Sequence, residues 1–450
     1  MEADRDTTHP SPAGWRRLAV YGLFQVAACC ISLGLVIHNY NHYLRTTEAD
    51  AGRLLAATAT VLPFALVFLA FAFSRFSFGY AAGVYMYTLI LGYLWLVSFS
   101  AFPYDHGAAS ISAFLSGVAF LAPALLITSP IKQHFVLTPR SFRRLLSTIL
   151  VAAAAVVAVG SLYNFRFVQL QDIYRFRNEL EFPVPLEYAI GIISTALLPF
   201  AFACFIWLRM YLRAASCLFL LALFWPITLS KVSLFAPIWL LFLTALIRFF
   251  EPRAAVIFSL LLPLSAGVVL ATLDALQLLP HPMFVAYFGS VNFRMFTLPS
   301  IALDYYNDYF STHDLTHFCQ IGIIKRLMAC PLQESLPVLM QNTYKMGFFN
   351  ASLFATEGIA SVGMKFAPLS ALCCGLLVGL VNRLSQELPA NFILLSGGLL
   401  LNLLLNVPLS VALATHGASL LIVLWYIAPR SMFVTCGSDV GDGSGTSQHP

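Results

Sequence analysis

Apolar runs of membrane-crossing length recur from one end of this 450-residue chain to the other. A helix needs roughly 17–25 residues to cross about 30 Å of hydrocarbon. Hydropathy places twelve such cores, at 17–38, 54–73, 78–99, 108–128, 145–164, 187–208, 213–230, 232–249, 254–278, 366–383, 391–408 and 412–428. Charged residues make up only 10% and mean hydropathy is +0.81, where a soluble domain carries about a quarter charged residues. The expected fold is an all-α polytopic integral membrane protein of about twelve transmembrane helices. Residues 1–16 read as a cytoplasmic tail, 17–430 as one transmembrane domain, and the Gly/Ser-rich 431–450 as a disordered cytoplasmic tail. No small-residue cleavage site follows the first apolar run, so it reads as a retained helix.

Lys and Arg in short loops set orientation. With the N-terminus inside, the internal loops hold Arg16, Arg17, Arg75, Lys132, Arg140, Arg143, Arg144, Arg209, Arg213, Arg248, Arg253, Arg383 and Arg430. The two longest polar segments, 165–187 and 279–365, then fall outside as loops. They carry Arg166, Arg175 and Arg177 in one and Arg294, Lys325, Arg326, Lys345 and Lys365 in the other, against the usual bias. Cations kept on the disfavoured face point to an anionic ligand there.

In YRFRNELEF, Arg175 and Arg177 stand two apart. Arginine's planar fork suits bidentate contact with phosphate. The competing reading is a snorkelling or salt-bridged pair, with Glu179 and Glu181 as partners. DYYNDYFSTHDLTHF, from Asp304, has the aromatic and polar composition of an interfacial segment. His313 and His317 are four apart, which on a helix is one face. No carboxylate-bearing zinc pattern surrounds them, so the sharper reading is one histidine as general base. The plainer reading is two polar interface residues, with Asp304, Asp308 and Asp314 as alternative bases or orienting partners. In GFFNASLFATEGIASVGMKF (347–366), Glu357 sits among small residues, with Gly347, Gly358 and Gly363 allowing close backbone approach. A carboxylate at membrane depth costs ~2.5–3.5 kcal/mol, so it is seldom there idly. It can pair with Lys365 or hold an arginine from the other loop. His416, in NVPLSVALATHG (406–417), reads as a capping or interface residue. Cys319 and Cys330 either pair, if their side is oxidising, or remain free thiols. No Gly-rich phosphate loop or metal-ligand pattern is present in the sequence, so no cofactor, metal or nucleic-acid partner is expected.

FSTHDLTHFCQI, GFFNASLFATEGIASVG and NVPLSVALATHG resemble, in order and spacing, the C-terminal half of bacterial O-antigen and capsular repeat-unit polymerases of the Wzy type. The resemblance covers about residues 303–417, and the preceding 300 match only as a many-helix membrane protein. Where the family has proline after the motif histidine, Asp314 follows His313 here. The resemblance implies a glycosyltransferase C-like fold in the bacterial inner membrane, with its active site facing the periplasm. It implies undecaprenyl-pyrophosphate-linked oligosaccharides as donor and acceptor, with a chain-length regulator and a flippase as partners.

On that reading Arg175 and Arg177, supported by Arg294 and Arg326, stabilise the pyrophosphate leaving group. His313 is the first choice of base and Glu357 the second. Tyr305, Tyr306, Tyr309 and Phe310 stack on sugar or pack against lipid. An O-antigen ligase, differing in its acceptor, is the closest rival. A lipid-linked oligosaccharide flippase is the rival from another class, and predicts polar groups within the spans and repeated halves.

Overall fold

The computed structural model describes residues 12–168, 176, 180–322, 324–332, 334–346 and 352–433. Among them the chain is helices and connecting turns, with one isolated bridge between Thr46 and Ser100. In order come α1 (Pro12–Leu44), α2 (Ala51–Val67), α3 (Leu69–Phe73), α4 (Phe78–Leu96), α5 (His106–Leu126) and α6 (Pro139–Tyr163). They are followed by α7 (Val184–Ile192), α8 (Leu198–Trp207), α9 (Tyr211–Thr228), α10 (Lys231–Phe249) and α11 (Pro252–Ala275). The last third holds α12 (His281–Phe288), α13 (Leu298–Thr312), α14 (Leu336–Tyr344), α15 (Ala355–Ser385), α16 (Ala390–Leu404), α17 (Leu409–Ala414) and α18 (Ala418–Ile427). Ten helices are long and apolar enough to cross a membrane, α2 running on into α3 and α7 into α8. The chain is therefore a polytopic helical membrane protein.

Helix starts follow local chemistry. Asp50, Ser77, Asp105 and Thr138 each accept the orphan N–H three residues on, opening α2, α4, α5 and α6. α4 is apolar all round and buried at every residue, the mark of a central helix. Its glycines let neighbours approach, and Gly92 lies directly against Ser300 of α13. Outer helices instead expose leucine and phenylalanine, among them Leu23, Phe24, Leu55 and Phe219, on faces suited to lipid.

α4 and α11 run parallel: Arg253 reaches the Ser74 carbonyl at 3.4 Å, and further along the Tyr85 and Ser259 hydroxyls lie 3.0 Å apart. The end of the bundle where both helices finish is here the upper end. Residues 279–365, expected to be an external loop, include two buried stretches, 296–310 and 352–361, while the described residues of 311–346 are mostly exposed or half-buried. His281 meets Asp274 at the top of α11, with 3.1 Å between its Nδ1 and the carboxylate. The chain then continues helically through a π segment, Gly289–Thr297, into α13. Midway, the Asn292 amide donates to Ser32 at 2.8 Å and to the Leu264 carbonyl at 3.1 Å. By Asp304 the helix is back beside Tyr104, in the turn above α4. Apolar residues such as Phe284, Phe288 and Phe296 are buried along it, which is why it does not lie out in water.

A second upper element is re-entrant. α15 breaks at Gly363, whose φ of +73° suits only glycine comfortably. Below the break α15 runs alongside α5, from Ser112 bonded to the Met364 carbonyl at 2.5 Å down to Asn382 bonded to Ala124 at 2.8 Å. The two turns that precede the break fold back against the second arm, so that Gly358 lies against Ser370 and the Phe354 ring packs tilted on Phe120 with centroids 4.8 Å apart. From Phe354 the chain thus rises to Gly363 and descends again.

The expected spans 391–408 and 412–428 are shorter helices, α16 of 15 residues and α18 of 10. They form an antiparallel pair rooted at the lower end, where Trp425 Nε1 donates to Ser396 Oγ at 2.9 Å. The tip of this lower hairpin meets the re-entrant tip: Leu353 N donates to Leu404 O at 3.0 Å, and Leu409 N to Leu353 O at 3.2 Å. Pro408 breaks the helical run there, since it has no N–H and pushes Val407 out of helical conformation.

Candidate functional site

The site is built on the last turns of α13. Asp304, Asn307 and Asp308 recur at helical spacing and turn toward α4, the 97–105 turn and α14. Tyr104 donates to Asp304 Oδ1, and its oxygen lies 3.1 Å from the Tyr93 hydroxyl. Asn307 Nδ2 donates to Tyr93 at 3.1 Å. Burial pushes the Asp304 carboxyl up to about 7, the Tyr104 hydrogen bond and the nearby Ser100 hydroxyl pulling back and the Asp308 charge adding to it. Tyr344 of α14 donates to Asp308 Oδ2 at 2.6 Å. Burial raises this phenol above its ordinary value, and the Asp308 bond and charge act the same way. Arg45, at the end of α1, lies over the Tyr344 ring at 5.5 Å.

Beyond Thr312 the helix stops. His313 is extended (φ −119°, ψ 160°) and His317 is left-handed (φ +48°), so the two histidines do not share a helical face as their spacing suggested. The cause is a competing set of partners. Thr316 N donates to Ala360 O at 2.8 Å and His317 N to Ser361 O at 3.1 Å. The Thr316 and Ser361 hydroxyls add a contact at 3.0 Å. These carbonyls end the re-entrant helix just before Gly363 and would otherwise lack partners. Two residues on, Cys319 and Cys330 form a disulfide that closes this clasp.

His313 is exposed and stacked on Tyr309, centroids 3.9 Å apart at 11°. Its Nδ1 lies 2.8 Å from the Tyr309 carbonyl, which only accepts, so Nδ1 carries the hydrogen and the neutral ring keeps its lone pair on Nε2. Glu357 is 8% exposed on the re-entrant helix, and its charge is felt by Tyr306 and Cys374. Tyr305 and Tyr306 are fully buried, and Tyr309 and Phe310 nearly so. They are packing residues rather than an open platform for sugars, because α13 is covered by α4 and α15, with Tyr344 of α14 edge-on to Tyr305. Asp308 is half-buried and Asp314 exposed.

Not every expected residue joins this group. Arg175 and Arg177 lie outside the described residues. Arg294 is exposed on the π segment, ten residues and so roughly 15 Å of helix from Asp304. Arg326 is exposed at the end of a short 3-10 turn, Ile324–Arg326. Lys365 is exposed, and no ion pair with Glu357 is formed. Tyr93, Tyr104, Asn307, Tyr344 and Arg45 were missed by sequence reasoning. The one signal was the polar-aromatic turn FPYDHG, which breaks an otherwise apolar stretch. Compared with sequence-family models, curated proteins and solved structures, the chain matches none.

Proposed function

We propose that this chain is a polysaccharide polymerase joining undecaprenyl-pyrophosphate-linked oligosaccharide repeat units at the upper face, taken as the periplasmic side of a bacterial inner membrane. One observation carries the reading. The three segments that resemble the Wzy-type polymerases converge in space. The first is bonded to the second through Thr316 and His317 to Ala360 and Ser361, and the second to the third through Leu353 and Leu409. The disulfide on the same face suits an oxidising compartment.

In the reaction, an acceptor hydroxyl attacks the anomeric carbon of the donor sugar as the bond to pyrophosphate breaks. His313 Nε2 takes the hydroxyl proton. The departing pyrophosphate gathers negative charge, which external cations stabilise: Arg175, Arg177 and Arg326 by the sequence argument, Arg45 by its position above Tyr344. Glu357 sets the electrostatics beneath the acceptor. Purified protein in vesicles with undecaprenyl-pyrophosphate-linked repeat units from its own strain tests the reading. A ladder of multimers supports it, and no product longer than one unit overturns it.

A second reading has its own observation. Two half-length segments entering from opposite ends and meeting at Leu353 and Leu404 are the kind of discontinuous element on which transporters build their sites. Movement of the lipid-linked unit across the same vesicles, without a ladder, selects it.

A further inference from the structure

We propose that Asp304 carries a proton in the folded protein and donates it from Oδ2 to the Asn307 amide oxygen, closing a ring of four side chains that positions α13. The hydrogen count leads there. Asn307 donates to the Tyr93 oxygen at 3.1 Å. Tyr104 spends its only hydrogen on Asp304 Oδ1, so the hydrogen between the two phenol oxygens, 3.1 Å apart, comes from Tyr93. Every bond then points one way, from Asn307 through Tyr93 and Tyr104 to Asp304. Both ends of that chain are acceptors: Asp304 Oδ2 and Asn307 Oδ1 are buried with no hydrogen-bond partner. Asp304 is 0% and Asn307 3% exposed, and they stand one turn apart on α13. Two unpaired acceptors one turn apart on a buried helix face are costly, and one hydrogen shared between them would satisfy both.

The surroundings favour the neutral acid. The groups that act on the Asp304 carboxyl are Tyr104, Ser100 and Asp308, none of them a cation. Around them stand Tyr93 on α4, His106 edge-on to Tyr104 at 4.5 Å, and Tyr305 on α13. Tyr344 and Arg45 lie above, and Glu357 faces Tyr306 on the re-entrant side. A cavity with room for about one water runs from Asn307 past Ser112 and Ser116 to Ala355 and Ile359. It supplies the rival arrangement, an ionised Asp304 bridged to Asn307 by that water.

The ring joins α4, the 97–105 turn and α13, whose end presents His313. Asp304 is thus a positioning residue, and this assignment does not depend on which reaction the site performs. Burial raises Asp304 from its ordinary 3.8 to about 7. The folded protein therefore holds this proton more tightly than the unfolded chain. Stability is fully present below about pH 4, falls as pH rises toward about 7, and levels off above.

Asparagine at 304 reproduces the neutral acid, offering Tyr104 an oxygen and Asn307 an N–H. The test is infrared spectroscopy and thermal melting of wild type, Asp304→Asn and Glu357→Gln. The expected result is a carboxylic-acid carbonyl band at about pH 6 that fades through about pH 7, is weakened in Asp304→Asn and is gone when Glu357→Gln is added to it. The Asp304→Asn variant loses the share of the pH dependence that Asp304 contributes over this window, and melts no lower than wild type at about pH 8. An acid band untouched by Asp304→Asn overturns the proposal. So does an Asp304→Asn protein that melts lower at every pH, or fails to fold, because the water-bridged carboxylate predicts those outcomes. The band must also persist in Glu357→Gln, where the other buried acid is gone; its absence there overturns the proposal without any substitution in the ring.

Discussion

Two half-length segments, 352–363 from the upper side and the hairpin 390–427 from the lower, meet at Leu353 and Leu404, and they are chemically unlike. The lower one, residues 390–427, holds no Asp, Glu, Lys or Arg and a single histidine, His416. The upper one carries Glu357, the hydroxyls of Ser352, Thr356 and Ser361, and a disulfide-closed clasp over its turn. The lower hairpin is held by packing and by Trp425 on Ser396. The upper is held by backbone bonds to a segment that also presents His313. Similar geometry therefore serves two ends: one segment is scaffold, the other is coupled to ionisable groups open to one face.

The largest effect should come from His313→Ala. If the upper side performs the transfer, loss of the base slows polymerisation by ~10²–10⁴-fold with binding of the lipid-linked substrate retained. A rate unchanged by this substitution in the reconstituted assay breaks the comparison at its strongest point. Glu357→Gln should slow the reaction by about tenfold to 100-fold, because it keeps the shape and removes the ionisable group. The melting temperature should not fall, since an ionisable group in an apolar surround costs stability; a large drop would make Glu357 structural.

Cys319→Ser should matter less. Opening a loop of 11 residues removes about 2–4 kcal/mol of constraint, read as a melting shift of a few degrees. The same shift should follow from reducing the wild-type disulfide, and identical melting with and without reductant would remove the clasp from the account. Smallest of all is His416→Ala at the lower tip, expected to change polymerisation by less than about twofold, since its ring packs beside Gly191 and its hydrogen bonds are made by backbone, N–H to Val411 O at 3.3 Å and carbonyl accepting from Thr195 at 2.7 Å. Loss of transport in that variant would favour the transporter reading and reverse the ranking of the two segments.

Much of the fold was legible in advance because hydropathy of single helices is a local property. The nine spans from α1 to α11 sit where their apolar runs sit. Residues 281–312 misled because tyrosine, aspartate and asparagine look interfacial whenever their partners are unknown. Asp304 is buried only because Tyr104, 200 residues earlier in the chain, supplies its hydrogen bond. The histidine pair misled for a related reason. Four-residue spacing implies a shared face only if the helix continues, and Thr316 and His317 spend their N–H groups on Ala360 and Ser361 instead. Arg45 was invisible as a site residue because nothing near it in sequence announces Tyr344.

By itself the sequence determined that this chain crosses a membrane as helices, since backbone in lipid must satisfy its own hydrogen bonds and apolar runs of this length leave no other solution. It also marked the stretch where chemistry is possible, since ionisable residues are costly in such a chain. Only the tertiary structure decided which runs span and which turn back, because that depends on whether Gly363 and Pro408 sit where a neighbouring tip can complete the broken backbone. It alone decided that Asp304 is enclosed and His313 open, a difference made by contacts between residues far apart in the chain.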